Sequence, residues 1–552
     1  MSALSWIRRI WIPIVIGIGG AWGVVLLARH LLFEWQVFHS GDASLYITVA
    51  RGIINGLTPY ADLLETKPPG IFLLIALSLW ITKGLLLARV AQCIAILAAG
   101  IFAAVALCVA AGKRGERTPM IHGVSVLFGL SVALYVGMMG GGLFPESFGA
   151  AAAIGYVALL VSRRDALGVK ELLLASIALA FAIGFKEPFV LTTLAAALIL
   201  LRERPILLLR AFVAPVAIAA VAGTVIMAAI GYLEPYVTWN LPLLFSPLLH
   251  HIEPRWFGGF LWKTFLWHMG EYSPILLLVV CATLIHTFLL AWDARKSTDR
   301  IACVAVLIAM LAGSYAVTMQ SRSWNEAAAL ALIGAVSGAV LLLRRGRAIS
   351  ILGIAAAGYL LIYAPAIRGQ FLGHHWLFAL PAIVAACVGS MEAVASWSHP
   401  AKRIVLSVLG LTLAAHLATA ARPDYAARLQ TDAQRIPRTL AATGAIDAIL
   451  DRCGIDRWLP VTPLPDDITG YTLHSPYGPI FLQMNFNLAI PMLRETFVAN
   501  VRRADVIVAV PPATMPEEVQ EHLVTQFSEE PWPCAQGIPL PEGLMILFRH
   551  TR

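Results

Sequence analysis

The sequence predicts a polytopic α-helical membrane protein of about thirteen spans with a small external α/β domain at its carboxyl end. Three observations lead there. Of 552 residues, 59% are hydrophobic and only 13% charged, with a mean hydropathy of +0.78, more apolar surface than one soluble core absorbs. Apolar runs of about 20 residues, the length that crosses the hydrocarbon layer as a helix, recur from Ile10 to about Ala420. The remaining 421–552 has prolines, acids and shorter apolar runs instead.

The expected spans are 10–33, 84–112, 119–138, 146–162, 171–185, 187–201, 211–231, 273–292, 301–319, 325–343, 348–366, 376–397 and 404–420. Basic residues gather in the short connections: Arg8 and Arg9; Lys113, Arg114 and Arg117; Arg163, Arg164 and Lys170; Arg202, Arg204 and Arg210; Arg295, Lys296 and Arg300; Arg344, Arg345 and Arg347; Lys402 and Arg403. With these clusters inside, each apolar hairpin between them goes out and back, the amino terminus is cytoplasmic and the carboxyl terminus external. The net charge of +8 then reflects topology and anionic lipid at the inner leaflet, not nucleic acid. Pro68 to Thr82 is apolar but, at about 15 residues, short for a crossing. Counting it would put the Lys113 cluster outside, so it is expected as an interfacial or re-entrant helix. The first apolar run is long and lacks a small-residue cleavage site, so it is expected to stay as the first span.

This assigns 1–420 to a transmembrane unit, with an external loop at 34–83, and 421–552 to a soluble external unit. Within the loop, Asp42 to Ile54 can form a helix, Asn55-Gly56 and Pro59 impose a turn, and Asp62 to Pro69 is a charged connector stiffened by Pro68-Pro69. Other external segments are Gly140 to Ser147, Gly184 to Pro188, Tyr232 to about Tyr272, Ser321 to Glu326 and Arg368 to Trp376. In the soluble unit, Arg457 to Thr462, Ala504 to Val510 and Leu544 to Arg549 read as strands and Pro516 to Glu529 as a helix. Five cysteines fall in spans as small apolar residues. Cys453 and Cys534 fall outside, where an oxidising compartment allows a disulfide between them.

Ionised groups beside a bilayer persist mainly where they pair, face water or act on a substrate. Asp42 follows the first span with Tyr46 one turn along the same face; simple helix capping is its bland alternative. Glu65 and Lys67 could be a solvated ion pair worth little, yet an ammonium stiffened by two prolines suits a lipid phosphate. Lys186, followed by Glu187, offers a second phosphate contact, and Arg255 a third. Glu146 follows a glycine run and could also be an acid at a helix start. His374 and His375 invite a metal reading, but adjacent histidines on a helix or strand are expected to point apart, which favours anchoring or a substrate hydrogen bond. The same caution covers His250 and His251.

The segment ARGIINGLTPYADLLETKPPG after Asp42 resembles the first external loop of lipid-linked-sugar glycosyltransferases of the GT-C superfamily, nearest to the protein O-mannosyltransferase and lipid A aminoarabinose transferase group. Asp42, Ala50-Arg51 and Glu65-Thr66-Lys67-Pro68-Pro69 stand at that group's acid, small-residue–base and acid–KPP positions; here Thr66 separates acid from lysine. Glu146, Lys186 and GHHWLFALPAI are similar to its later motifs. The resemblance implies an integral-membrane inverting hexosyl- or pentosyltransferase in a bacterial inner membrane, with its terminal unit periplasmic. It would use a polyprenyl-phosphate sugar donor and an envelope acceptor: lipid A or lipopolysaccharide, another glycan, a lipid or a protein. Asp42 would be the base and Glu146 its helper. Lys67, Lys186 and Arg255 would hold the donor phosphate. Tyr46, Arg51, Tyr60, Glu65, Glu187, His374 and His375 would contact substrate, and a divalent cation (Mg or Mn), if used, would sit on Asp42 and Glu146. The competing classes are a secondary transporter, which favours midplane charges and repeated halves, a lipid-oligosaccharide ligase or polymerase, and a non-catalytic assembly partner.

Overall fold

The computed structural model describes residues 3–112, 118–163, 167–201, 206–244, 373–395, most of 406–418, and 424–455, 458–461, 466–476, 491–509 and 517–550. The expected spans at 273–292, 301–319, 325–343 and 348–366 lie outside them, as do Arg255, His250 and His251.

The amino-terminal helices follow the hydropathy. They are α1 (Ala3–Gln36), α2 (Asp42–Ile54), α3 (Gly70–Thr82), α4 (Leu86–Gly112), α5 (Pro119–Gly140), α6 (Pro145–Arg163), α7 (Val169–Phe185), α8 (Phe189–Leu200) and α9 (Ile206–Ala229), the last π-helical at Leu209–Val213. Five described helices are long and apolar enough to cross a bilayer: Trp11–Gln36 of α1, then α4, α5, α6 and α9. The chain is therefore a multi-pass helical membrane protein. At 12 residues α8 rises about 18 Å, shorter than the span expected at 187–201. The expected span at 376–397 opens instead with a 3₁₀ turn, Gly373–Ala379, before α10 (Leu380–Ala395).

Helices touch where glycines remove side chains. A Cβ on Gly100 would stand 2.6 Å from the carbonyl of Gly129, so α4 and α5 meet backbone to backbone. A Cβ on Gly70 would stand 2.5 Å from the Gly184 carbonyl, which locks the start of α3 to the end of α7. The end of α1 is tied by Arg89, which donates to the carbonyls of Trp35 (2.6 Å) and Val37 (3.0 Å) and from Nε to His39 Nε2 (3.2 Å). Burial, aided by Arg89, pushes His39 down to about 3, so the ring stays a neutral acceptor.

The carboxyl-terminal part holds α11 (Tyr425–Cys453), β1 (Trp458–Val461), α12 (Asp466–Tyr471), α13 (Pro491–Arg503), β2 (Val506–Ala509), α14 (Glu517–Gln526), β3 (Phe527–Ser528) and β4 (Met545–Arg549). Its sheet runs β1-β2-β4-β3, with β1 parallel to β2 and the other pairs antiparallel. The three expected strands are present. The expected helix at Pro516–Glu529 gives up its end, since Phe527 and Ser528 pair with β4 as an edge strand. Cys453 and Cys534 form a disulfide joining the end of α11 to the turn Pro533–Ala535.

This sheet-bearing part packs on α2. Thr48 Oγ1 donates to Thr469 Oγ1 (3.2 Å), and Asn55 Nδ2 donates to the Leu473 carbonyl (3.1 Å) and Ser475 Oγ (2.9 Å). Gly470 lies so close that a Cβ there would stand 2.7 Å from the Ser44 carbonyl. Tyr471 stacks on Phe38, ring centres 4.7 Å apart, and donates its hydroxyl to the His39 carbonyl at 3.2 Å.

Candidate active site

Asp42 opens α2. Gly41, at φ 62°, takes the N-cap position, a conformation glycine adopts without a Cβ penalty, so the acid sits one residue inside the helix with its charge toward the positive end of the dipole. One turn on, the buried Tyr46 donates its hydroxyl to Asp42 Oδ2 at 3.5 Å. The Lys67 ammonium lies 5.6 Å from the centre of the Tyr46 ring, so this one tyrosine links the Asp42 carboxylate to the Lys67 ammonium.

The connector that delivers Lys67 is tightly wound. Asp62 Oδ2 accepts from the Thr58 amide (2.7 Å) and the Leu63 carbonyl from the Tyr60 amide (2.8 Å). Tyr60 has φ 68°, a conformation a non-glycine residue takes only where its surroundings enforce it, and its ring is buried edge-on against Tyr236 at 5.2 Å. Its hydroxyl donates to the Lys67 carbonyl (2.9 Å), which pins the backbone just before the two prolines. Lys67 Nζ pairs with Glu65 Oε1 at 3.1 Å, both largely buried, so Thr66 between them does not keep acid and base apart.

Glu146 comes from the start of α6. The preceding bend is held by Gln92 of α4, whose Nε2 donates to the Gly140 carbonyl (3.1 Å) and to Ser147 Oγ (2.9 Å), and by Glu34 of α1, whose Oε2 accepts from the Gly142 amide (2.7 Å). Lys186, directly after α7, reaches Glu146 Oε1 at 3.4 Å, with the side chains 1% and 0% exposed. Burial of this degree makes the pair interdependent, because either charge alone would be costly.

His374 and His375 depart from the expectation that neighbouring histidines diverge. His374 stacks on Phe144 (4.7 Å between ring centres) and His375 on Phe378 (5.6 Å), and these two aromatic faces turn the imidazoles toward each other, 4.4 Å apart and edge-on. One ligand atom each from Glu146, His374 and His375 lies within 4.8 Å of the others, a group with metal-ligating potential that brings both histidines to Glu146. Burial holds His374 below the ordinary imidazole range, with Lys186 and Lys67 adding to the effect and Glu146 and Asp42 opposing it.

Those influences locate the site. Asp42, Lys67, Glu146 and Lys186 all lie within electrostatic reach of His374. Glu65 and Glu187 act on the Tyr60 hydroxyl, whose pKa is raised chiefly by burial. Arg51 goes elsewhere: the charged and phenolic groups acting on it are Asp447 and Tyr471 of the carboxyl-terminal part, which places it at the seam with α2. Sequence reasoning missed Gln92, Glu34, Phe144 and Tyr236. Gln92 and Glu34 carried a signal, as polar side chains within expected or flanking span sequence; the two aromatics carried none.

Fold and site define a multi-pass helical membrane protein with a buried acid–base cluster at one end of its spans. No family model matches the chain, and no curated protein sequence does. Among solved structures it is similar to ArnT, the lipid A aminoarabinose transferase of Cupriavidus metallidurans, in a crystal structure bound to undecaprenyl phosphate: 14% identity, 96% of this chain and 98% of that one, TM-score 0.45. The apo crystal structure of the same protein gives 14% identity, 96% and 97% coverage and TM-score 0.43.

Proposed function

We propose that the protein is an integral-membrane inverting glycosyltransferase that moves a sugar from a polyprenyl-phosphate donor to an envelope acceptor on the external face of a bacterial inner membrane. The observation that carries this reading is the gathering of a half-buried carboxylate, Asp42, with two lysines, Lys67 and Lys186, around His374 at the ends of apolar helices. The basic connections at the opposite helix ends support an external position for this end, by the positive-inside rule.

In this mechanism Asp42 takes the proton of the acceptor hydroxyl as its oxygen attacks the anomeric carbon. The bond from that carbon to the phosphate oxygen breaks, and the phosphate leaves with its charge balanced by Lys67 and Lys186. A single displacement inverts the anomeric centre. The acceptor class is an envelope molecule with a free hydroxyl: lipid A or lipopolysaccharide, another glycan, a lipid or a protein.

The test is release of polyprenyl phosphate from a polyprenyl-phosphate sugar by purified protein in vesicles, followed by phosphorus NMR and dependent on added acceptor. Lys67→Ala is expected to raise the KM for donor at least about ten-fold, since a charged contact contributes roughly 1.5–3 kcal/mol. Tyr60→Phe, which frees the Lys67 carbonyl but keeps the ring, is expected to raise it about five-fold, in line with one neutral hydrogen bond of roughly 1 kcal/mol. Uptake of substrate into vesicles that lack lipid-linked sugar would instead make the protein a transporter.

A further inference from the structure

We propose that Glu146, His374 and His375 form a divalent-cation site of the zinc type, with a fourth position open to a phosphate oxygen of the donor. Three observations on different side chains converge on it. The ligand atoms already lie within 4.8 Å of one another. Four-coordinate zinc, with bonds of about 2.0–2.1 Å, puts neighbouring ligand atoms about 3.3 Å apart, so side-chain rotations closing the group by about 1.5 Å complete the set. The Glu146 side chain is fully buried, yet neither carboxylate oxygen accepts a hydrogen bond, and the Lys186 ammonium stands 3.4 Å from Oε1. The carboxylate thus has an ion-pair partner but no hydrogen bond, which leaves room on its oxygens for a further cationic contact.

Charge gives the third argument, and it rests on the donor reading proposed above. Among the described residues around this site, both lysines are already matched, Lys67 by Glu65 and Lys186 by Glu146, and Asp42 adds a third carboxylate within electrostatic reach of His374. An anionic phosphate entering that setting meets an excess of negative charge; a dication on Glu146 reverses the balance beside Lys186. Donor and metal then strengthen each other's binding. Two imidazole nitrogens and one carboxylate oxygen suit zinc, whereas magnesium and manganese prefer oxygen sets.

The experiment reads metal rather than transfer. Full-length protein purified in detergent is equilibrated with micromolar Zn²⁺, passed through a desalting column and measured by plasma mass spectrometry. Parallel samples take Co²⁺ and are scanned for the visible bands of a four-coordinate ion. One ion per chain with such bands is expected in the unsubstituted protein, falling at least five-fold in His374→Ala/His375→Ala. Because Glu146→Gln alone leaves Lys186 buried without its partner, the double variant Glu146→Gln/Lys186→Met supplies the test at the carboxylate, and it too should lose the ion. Stoichiometry below 0.2 in the unsubstituted protein, or full retention by both variants, which would mark adventitious surface histidines, overturns the site. Transfer activity without bound metal would overturn the site and leave the transferase reading standing; metal uptake without any transfer would do the reverse.

Discussion

Asp42→Asn is expected to abolish sugar transfer, lowering kcat by about a hundred- to ten-thousand-fold, the range general-base catalysis contributes. The substitution is close to isosteric. Asparagine keeps an oxygen for the Tyr46 hydroxyl, which lies 3.5 Å from Oδ2, and keeps the first turn of α2 starting after Gly41. It loses the one property the mechanism needs, a lone pair basic enough to take the acceptor's proton. Purified variant should therefore unfold at nearly the unsubstituted temperature and elute at the same volume on size exclusion, while transfer in vesicles is lost. Near-normal transfer by well-folded Asp42→Asn protein would remove the base assignment and leave Asp42 a helix-start acid.

Lys186→Met is expected to destabilise the fold by about 3–5 kcal/mol, because it strands the Glu146 carboxylate in a site with no exposure. The measurement is a thermal unfolding curve in detergent, compared with the double variant Lys186→Met/Glu146→Gln. Removing both charges restores most of the lost stability, since a buried pair replaced by neutral groups is often neutral or better. Transfer is not expected to return with stability, because in the proposed mechanism the leaving phosphate loses a cation. Recovery of both together would make the pair purely structural, and an unchanged unfolding temperature in the single variant would mean that water reaches the carboxylate.

Among the described residues, several helices were legible because hydropathy decides them: α4 and α5 begin and end within about two residues of the apolar runs, and α3 was recognisable as too short to cross. The individual charges of the site were legible for the same reason, as ionisable groups set among apolar ones. Their partnerships were not. Glu146 meets Lys186 across a helix hairpin, and the two histidines converge because Phe144 and Phe378 catch their rings, contacts that no sequence spacing encodes. Arg51 entered the candidate site through the small-residue–base position of the family motif; its position along α2 brings it within electrostatic reach of Asp447, a partner no local pattern encodes. The 29-residue α11 went unread because Pro437 interrupts its pattern, where local rules place a helix end.

The grip of the sheet-bearing part on α2 has a consequence for how this molecule can change. The proposed base is aimed by a helix whose flank is braced by residues more than four hundred positions downstream, with Gly470 seated on the Ser44 carbonyl. Catalytic alignment and the terminal part are thus one inheritance. A graft that swapped this splint for a foreign one, however well it folded, would give Asp42 a new tilt and leave the proposed base off the mark.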